Sequence, residues 1–174
     1  MQNTQERDGR WAKQFGDFAE HLTMYVLGQL NDMSVALIDH VGADVIAIKR
    51  DGSEERYAVS VKGRNIPPTE GKNYNFSQRG IDKLEETAEM LKMTPAVSFV
   101  FVDEMEGAKK IRVFVAELAN IFRLCDDPET GFLNRVADGI SFCYAEGKSR
   151  QWLSEIRKCD MILYYEIQFT EMLA

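Results

Sequence analysis

Near the start of the chain, apolar residues recur every three or four positions. This is the period of one face of an α-helix, and it predicts an amphipathic helix over residues 11–30. The apolar face consists of Trp11, Phe15, Phe18, Leu22 and Tyr25. We expect its first three aromatic rings to be buried in the core and the Asn31-Asp32 pair to end the helix.

Short apolar segments come next, and their length and composition are typical of β-strands. We predict strands at residues 34–38, 44–49 and 55–62. Asp51-Gly52 separates the second strand from the third and is a strong hairpin signal. The second and third strands are therefore predicted to be antiparallel neighbours.

The middle of the chain is predicted to contain a loop, a helix and a buried strand. Residues 63–75 contain Pro67-Pro68 and several polar side chains, which favours a loop. A helix is predicted over residues 77–92, with Ser77 as its cap. The nearly continuous apolar run at 96–102 is typical of a central strand. The later predicted elements are a turn at Glu106-Gly107, a strand at 110–115, a helix at 117–124, a strand at 140–144, a helix at 149–158 and a strand at 162–168.

The order of these elements predicts the fold class. A helix, three strands, a helix and two strands favour an α/β fold with a mixed central sheet flanked by helices. The length of 174 residues suits one domain. We predict a single domain over residues 1–174, with its core at about 11–116 and a C-terminal elaboration at about 117–174.

The distribution of charge along the chain limits which ligands it is expected to bind. The net charge is −7, which disfavours a general phosphate-binding surface. Residues 62–83, however, carry five cations against two acids, a net charge of +3. This basic stretch is either an edge that faces phosphate or an ordinary solvated face, and charge alone leaves both open.

The cysteines and the hydropathy of the chain indicate the cellular compartment. The three cysteines, Cys125, Cys143 and Cys159, are odd in number and widely spaced, so we predict free thiols in a reducing cytoplasm. The polar, charged residues 1–13 are not expected to be a secretory signal. No apolar run approaches the roughly 20 residues that span a bilayer.

Two charged residues are predicted to meet at one end of the sheet. Asp44 begins the second strand and Lys62 ends the third, and the hairpin between them brings these positions side by side. Ser60 and Lys62 share one face of their strand, because side chains alternate along it. A carboxylate beside a lysine suits metal-dependent hydrolysis, in which the ammonium stabilises charge that develops on phosphate.

The two predicted helices could add to this cluster. Glu20 lies one turn after Gly16, where a glycine would let the first helix approach the sheet closely. Gln78 and Arg79 begin the second helix. Taken singly, Glu20 suits a solvated helix face, Asp44 suits a turn and Lys62 suits a strand end. Their joint placement is what favours a site.

Together these residues resemble the motifs of the PD-(D/E)XK nuclease superfamily, and most of all its small members related to Holliday-junction resolvases and restriction endonucleases. The matching segments are Gly16-X-X-X-Glu20, Gly42-Ala43-Asp44-Val45-Ile46 and Val59-Ser60-Val61-Lys62-Gly63-Arg64. The resemblance covers about residues 13–115. It implies a restriction-endonuclease-like αβββαβ core and a metal-dependent endonuclease acting on DNA.

The resemblance also implies residue roles and partners. Lys62 would assist catalysis together with Asp44, Glu20 and Gln78. The groups that would hold Mg²⁺ or Mn²⁺ are Asp44, Glu20, the backbone carbonyl of Val61 and, weakly, Ser60. Those that would contact nucleic acid are Arg64, Lys72 and Arg79. A homodimer through the segment after Glu117 is expected by analogy with such nucleases, most of which act on two strands.

One residue departs from the family pattern. Ser60 stands where the family carries an acid, and a neutral hydroxyl is a poor ligand for a hard divalent ion. Some related enzymes recruit a later glutamate to replace the missing acid. In this chain the corresponding position falls near Phe76, and replacement of the acid by Glu70, Asp82 or Glu85 is unsupported. The alternative prediction is a catalytically impaired nuclease-fold protein that binds nucleic acid or a protein partner. A third is an antitoxin, immunity or phage-defence accessory protein that keeps the fold for interaction.

Overall fold

A computed structural model describes residues 9–66, 72–105, 108–127, 133–144 and 162–170. Its elements are α1 (Gly9–Gly28), β1 (Met33–His40), β2 (Ala43–Lys49), β3 (Arg56–Ile66), β4 (Lys72–Ser77), α2 (Gln78–Leu91), β5 (Thr94–Met105), β6 (Ala108–Glu117), α3 (Leu118–Asp126), β7 (Leu133–Val136), β8 (Gly139–Tyr144) and β9 (Leu163–Thr170). The predicted succession of helix, three strands, helix and two strands is present, with β4 added before α2.

The main sheet has six strands in the order β1-β2-β3-β5-β6-β9. Strands β3 and β5 are parallel, and every other neighbouring pair in this sheet is antiparallel. Helix α2 lies in the connection between the two parallel strands. The sheet is therefore mixed and mostly antiparallel, which confirms the predicted α/β class with a central sheet flanked by helices.

Two apolar clusters hold the helices against the sheet. On one side, Ala19, Val26 and Leu27 of α1 pack with the sheet residues Val45, Val59 and Val100. On the other side, Ile81 and Leu84 of α2 and Leu118 and Ile121 of α3 pack with Phe99 and Phe101. The Phe99 ring lies 4.3 Å from that of Phe142 on β8, centroid to centroid, in an edge-on arrangement.

The predicted loop at 63–75 is largely wrong. Residues 63–66 continue β3, which stays paired with β5 as far as Ile66 and Asp103. Strand β4 then pairs with β8, and with β7 these strands form a second, three-stranded sheet. Both extensions depend on partners distant in the sequence, which a local pattern does not reveal. The Pro67-Pro68 pair lies outside the described residues.

The predicted buried face of α1 is also wrong. Trp11 and Phe18 are each 41% exposed, Tyr25 is 56% exposed, and Phe15 is half-buried. The buried stripe consists of the smaller residues Ala19, Thr23, Val26 and Leu27. The small Ala19 and Thr23 lie where α1 rests on the sheet, and the hydroxyl of Thr23 forms a hydrogen bond with that of Ser98 on β5. The aromatic stripe lies at the border of this contact.

The glycine that permits close packing of α1 is Gly63 rather than Gly16. A Cβ atom at Gly16 would have nothing within 4 Å. A Cβ atom at Gly63 would lie 2.8 Å from the ring of Phe15 and 3.1 Å from Cβ of Ala19. The space that α1 needs is therefore provided by the strand beneath it.

Several predictions fall outside the described part of the chain. They are the Glu106-Gly107 turn, the helix at 149–158, and the side chains of Lys72, Cys143 and Cys159. Among the helices that are described, none combines the length and the apolar character needed to cross a membrane.

Candidate active site

The turn before β2 is fixed against α2, and this determines where Asp44 lies. Gly42 has a φ of +103°, and a Cβ atom there would clash with the backbone carbonyl of Lys83. The hydroxyl of Thr87, which is buried on α2, donates to the carbonyl of Val41. Glycine is therefore required for both the conformation and the close approach, and β2 starts from a fixed point.

The pairing of β2 with β3 brings Asp44 to Ser60 and Val61. Val45 is opposite Val59 in the antiparallel register, so Asp44 lies one step further along the pair. Oδ2 of Asp44 accepts a hydrogen bond of 2.6 Å from the backbone N–H of Val61 and one of 3.5 Å from the hydroxyl of Ser60. The carboxylate is thereby oriented by the backbone of the neighbouring strand.

Lys62 is enclosed within the same cluster. Its Nζ donates to Oγ of Ser60 at 2.8 Å and to the carbonyl of Val61 at 3.2 Å. It also lies 5.0 Å from the centre of the Phe76 ring, a cation–π distance. Burial lowers the pKa of Lys62, and the negative charges of Asp44 and Glu20 oppose that shift. Lys62 lies in the interior of β3 rather than at its predicted end, four residues before Ile66.

Glu20 joins this cluster from α1. The pKa of its half-buried carboxyl is raised, first by burial and then by the charges of Asp44 and Asp17, while His21 and Lys62 act in the opposite direction. Within the described part of the chain, no hydrogen bond or ion pair engages this carboxyl. Two carboxylates thus influence one site together with a half-buried ammonium.

The oxygen groups at this site fit a magnesium ion. Asp44 and Glu20 supply carboxylates, and the carbonyl of Val61 has a second lone pair besides the one that accepts from Lys62. Mg²⁺ is commonly bound by one or two carboxylates together with waters and substrate phosphate. Among the described residues, no group of three or more His, Cys, Asp or Glu side chains could hold a metal ion. Oxygen donors of this kind are the ligands of hard cations such as Mg²⁺, whereas closed zinc sites are built mainly from Cys and His.

Ser60 connects the two charged groups. It is only 3% exposed, and its hydroxyl lies within hydrogen-bonding distance of both Lys62 and Asp44. This position lets it orient the ammonium while carrying no charge of its own. None of the substitute acids is seen at this contact: Glu85 is exposed, Asp82 accepts a hydrogen bond from Gln78, and Glu70 lies outside the described residues.

The other predicted residues are placed around the cluster with different partners. Nε2 of Gln78 donates to Oδ1 of Asp82 at 2.8 Å, so its side chain is engaged on the exposed start of α2. Arg79 is exposed next to it. Arg64 is exposed on β3, and its guanidinium lies 4.7 Å from the centre of the Tyr74 ring. Lys72 begins β4, which is paired with β8.

Sequence reasoning missed the supporting residues Thr87 and Phe76. Thr87 fixes the turn before Asp44, and Phe76 covers the ammonium of Lys62. The Gly42-Ala43-Asp44 segment indicates a turn, but the neighbouring sequence does not identify Thr87 on α2 as the residue that the turn contacts. Phe76 lies on β4, a strand that the sequence did not predict.

Comparison with known proteins finds a weak likeness among solved structures. No protein-family model and no curated protein matches the sequence. Among solved structures, the chain is similar to Hjc, a Holliday junction resolvase from the archaeal hyperthermophile Archaeoglobus fulgidus, with a TM-score of 0.47 and 13% sequence identity. The match covers 74% of this chain and 88% of that one.

Proposed function

We propose that this chain is a nuclease-like protein of the PD-(D/E)XK type that hydrolyses phosphodiester bonds in DNA with the help of a divalent metal ion. The observation that carries the proposal is the cluster in which Asp44, Ser60 and Lys62 are hydrogen-bonded together beside Glu20. Two carboxylates and a half-buried ammonium are a combination suited to phosphoryl chemistry.

Asp44, Glu20 and the carbonyl of Val61 are the groups that would hold the metal ion. Bound Mg²⁺ or Mn²⁺ would supply positive charge that polarises the phosphate and acidifies water. The hydrogen bond from the N–H of Val61 orients Asp44 without occupying both of its oxygens. Glu20 lies on α1, whereas Asp44 and Val61 lie on strands of the main sheet. Both the helix and the sheet therefore contribute groups to the site.

Lys62 contributes a positive charge that is already in place. Because Ser60 and Val61 hold its ammonium, little reorganisation is needed when negative charge develops on a nearby phosphate. Its lowered pKa also makes release of a proton from the ammonium easier than for an exposed lysine. Ser60 is a positioning residue in this scheme, since it acts through Lys62.

Exposed cations near the site would hold the DNA backbone. Arg64 is two residues after Lys62 on the same strand, and Arg79 is on the first turn of α2. We assign phosphate contacts to both and to Lys72. Phosphate contacts of this kind position the nucleic acid without reading its sequence.

The composition of the site favours one alternative function. The neutral Ser60 and the lack of a third carboxylate within the described residues suit a protein that binds DNA without cutting it. Such a protein would keep Arg64, Arg79 and the ammonium of Lys62 for binding.

A cleavage assay separates the two functions. Plasmid, branched and single-stranded DNA are incubated with the purified protein and Mg²⁺ or Mn²⁺, beside Lys62→Ala. The matched control is Lys49→Ala, at the opposite end of β2 from Asp44. Cleavage that is lost in Lys62→Ala and kept in Lys49→Ala supports the enzyme. Binding without cleavage in the wild type supports the alternative, and neither binding nor cleavage contradicts both.

A further inference from the structure

Helix α1 contacts the sheet through two residues that lie on either side of Glu20 along the helix. Cβ of Ala19 lies 3.1 Å from the position that a Cβ atom would occupy at Gly63 of β3. The hydroxyl of Thr23 forms a hydrogen bond of 2.7 Å with that of Ser98 on β5. Glu20 therefore lies in the turn of the helix whose place over β3 and β5 is determined by these two contacts.

The two hydroxyls of this hydrogen bond are enclosed by the core. Thr23 and Ser98 are both 0% exposed. Their neighbours on the same faces of α1 and β5 are apolar, among them Val26, Ala96 and Val100. A buried hydroxyl is costly unless it is hydrogen-bonded, and here each hydroxyl satisfies the other. Because the apolar contacts around it are non-directional, the hydrogen bond adds a directional constraint on where α1 lies.

The same hydrogen bond is adjacent to the strand segment that would hold the metal ion. In the parallel register, Ser98 is opposite Val61. The N–H of Val61 donates to Asp44, and its carbonyl is one of the groups assigned to the metal ion. Thr23, at the other end of the hydrogen bond, follows Glu20 by about one helical turn. The pair therefore connects the helix that carries Glu20 to the strands that hold Asp44.

We propose that Thr23 and Ser98 are positioning residues for the metal site, because their hydrogen bond fixes α1 at the place on the sheet where the carboxylate of Glu20 meets that of Asp44. The inference rests on the proposed function and assigns to it two residues that do not contact the metal ion. Residues that orient metal ligands are commonly worth about 10–100-fold in metal affinity. We expect a smaller effect here, since the hydrogen bond orients the helix and not the carboxylate itself.

The test separates positioning from stability. In Thr23→Val/Ser98→Ala both hydroxyls are replaced by apolar groups, so neither is left buried without a partner. We expect the urea denaturation midpoint of this double variant to be close to that of the wild type, whereas each single variant should unfold at a lower urea concentration. The affinity of the double variant for Mn²⁺, measured by electron paramagnetic resonance of the free ion, is expected to be lower by about three- to tenfold.

Three further variants show whether the loss acts through Glu20. Val26→Ala truncates a buried side chain of the same helix, one turn beyond Thr23, and should lower the urea midpoint while leaving the Mn²⁺ affinity unchanged. Thr23→Ser keeps the hydroxyl and should keep the Mn²⁺ affinity. In a Glu20→Gln background, the double variant should cause no further loss of affinity, because the carboxylate that it positions is already absent.

A measurement without metal tests the placement of α1 itself. Amide hydrogen exchange of the segment 16–27 is followed by mass spectrometry in EDTA for the wild type and the double variant. The double variant is expected to exchange faster in this segment at a similar urea midpoint, because the hydrogen bond no longer opposes local opening of the helix. Equal exchange would show that the pair does not hold the helix in place.

The outcomes separate this inference from the proposed function. Wild-type Mn²⁺ affinity in Thr23→Val/Ser98→Ala, together with a loss in Glu20→Gln, refutes the positioning role and keeps the metal site. An equal loss in Val26→Ala, or a further loss in the Glu20→Gln background, also overturns the inference, because the effect would not then act through Glu20. If the wild type binds no Mn²⁺, the metal site is refuted, and the exchange measurement alone decides whether the pair fixes α1.

Discussion

The ammonium of Lys62 is held by Oγ of Ser60 and the carbonyl of Val61 and is covered by the ring of Phe76. Its lowered pKa means that the charged form is less favourable in the folded protein than in the unfolded chain, which costs stability at neutral pH. Glu20 acts in the same sense, because its raised pKa means that the ionised carboxylate is less favourable in the folded protein than in the unfolded chain. Both residues place a charge where the fold alone would not favour one, as expected of a binding site.

Glu20→Gln is predicted to stabilise the metal-free protein at neutral pH. A group with a raised pKa contributes stability that is fully present below its unfolded value of 4.5 and is lost as the pH rises through the folded value. The wild type has therefore lost this contribution to its stability at pH 7. The glutamine of the Glu20→Gln variant does not ionise, so the variant has no such loss. We expect a gain below about 1 kcal/mol, since the carboxyl is only partly buried.

Urea denaturation in EDTA, carried out at neutral pH and again below pH 4.5, measures this difference. The gain should disappear at the lower pH. Glu85→Gln, an exposed acid on α2, serves as the control and should show no such gain. If the Glu20→Gln protein is less stable than the wild type at pH 7, the ionised carboxylate of Glu20 is stabilised by a favourable contact in the folded protein, and this account of Glu20 is wrong.

At the scale of elements, β3 provides the frame of the site. It pairs with β2 over residues 56–59, continues beside β5 to Ile66, and carries Ser60, Lys62 and Arg64 on this second stretch. Helix α1 lies over Gly63 and brings Glu20 to the cluster. The distance between α1 and β3 therefore controls how Glu20 meets Asp44.

Gly63→Ala and Gly16→Ala are predicted to have opposite effects on stability. Alanine at 63 would press on the ring of Phe15, and we expect a loss of about 1–3 kcal/mol from overpacking. Alanine at 16 would meet nothing within 4 Å, so we expect a gain of about 0.5–1 kcal/mol from its higher helix propensity. Urea denaturation midpoints of the two variants decide the matter, and a stabilising Gly63→Ala would refute the close packing described here.

Much of this element structure could be predicted because its signals are local. The Asp51-Gly52 turn and the two apolar runs around it are enough to place Asp44 near Lys62. Strand β4 could not be predicted, because it exists through pairing with β8, as in the pair Lys72 and Tyr144. The face of α1 was assigned wrongly because periodicity marks where apolar residues lie, whereas close packing on the sheet selected the smaller Ala19 and Thr23.

At the scale of the whole molecule, an acidic chain carries exposed cations on two elements next to its site. Arg64 lies two residues after Lys62 on β3, and Arg79 lies on the first turn of α2. The rest of the chain is acidic, and the net charge of the whole chain is −7. Nucleic acid binding by such a protein should be local and sensitive to salt, because repulsion from the acidic surface opposes every other orientation.

Arg64→Ala and Arg79→Ala are each predicted to weaken DNA binding and to reduce its salt dependence. Each lost phosphate contact lowers the slope of log K against log salt by about one. Anisotropy titrations at several salt concentrations measure that slope. Arg56→Ala is the matched control, because Arg56 is an exposed arginine at the other end of β3. If all three variants keep the wild-type slope, the phosphate contacts lie elsewhere.

The central claim is that Asp44 and Glu20 form one divalent metal site beside Lys62. Binding of Mn²⁺, followed by electron paramagnetic resonance of the free ion, tests this directly. The wild type is predicted to bind one ion, and Asp44→Asn and Glu20→Gln are each predicted to lower the affinity by tenfold or more, on the order of one lost charged ligand. Equal Mn²⁺ binding by the wild type and both variants, or none by the wild type at millimolar concentration, would contradict the account.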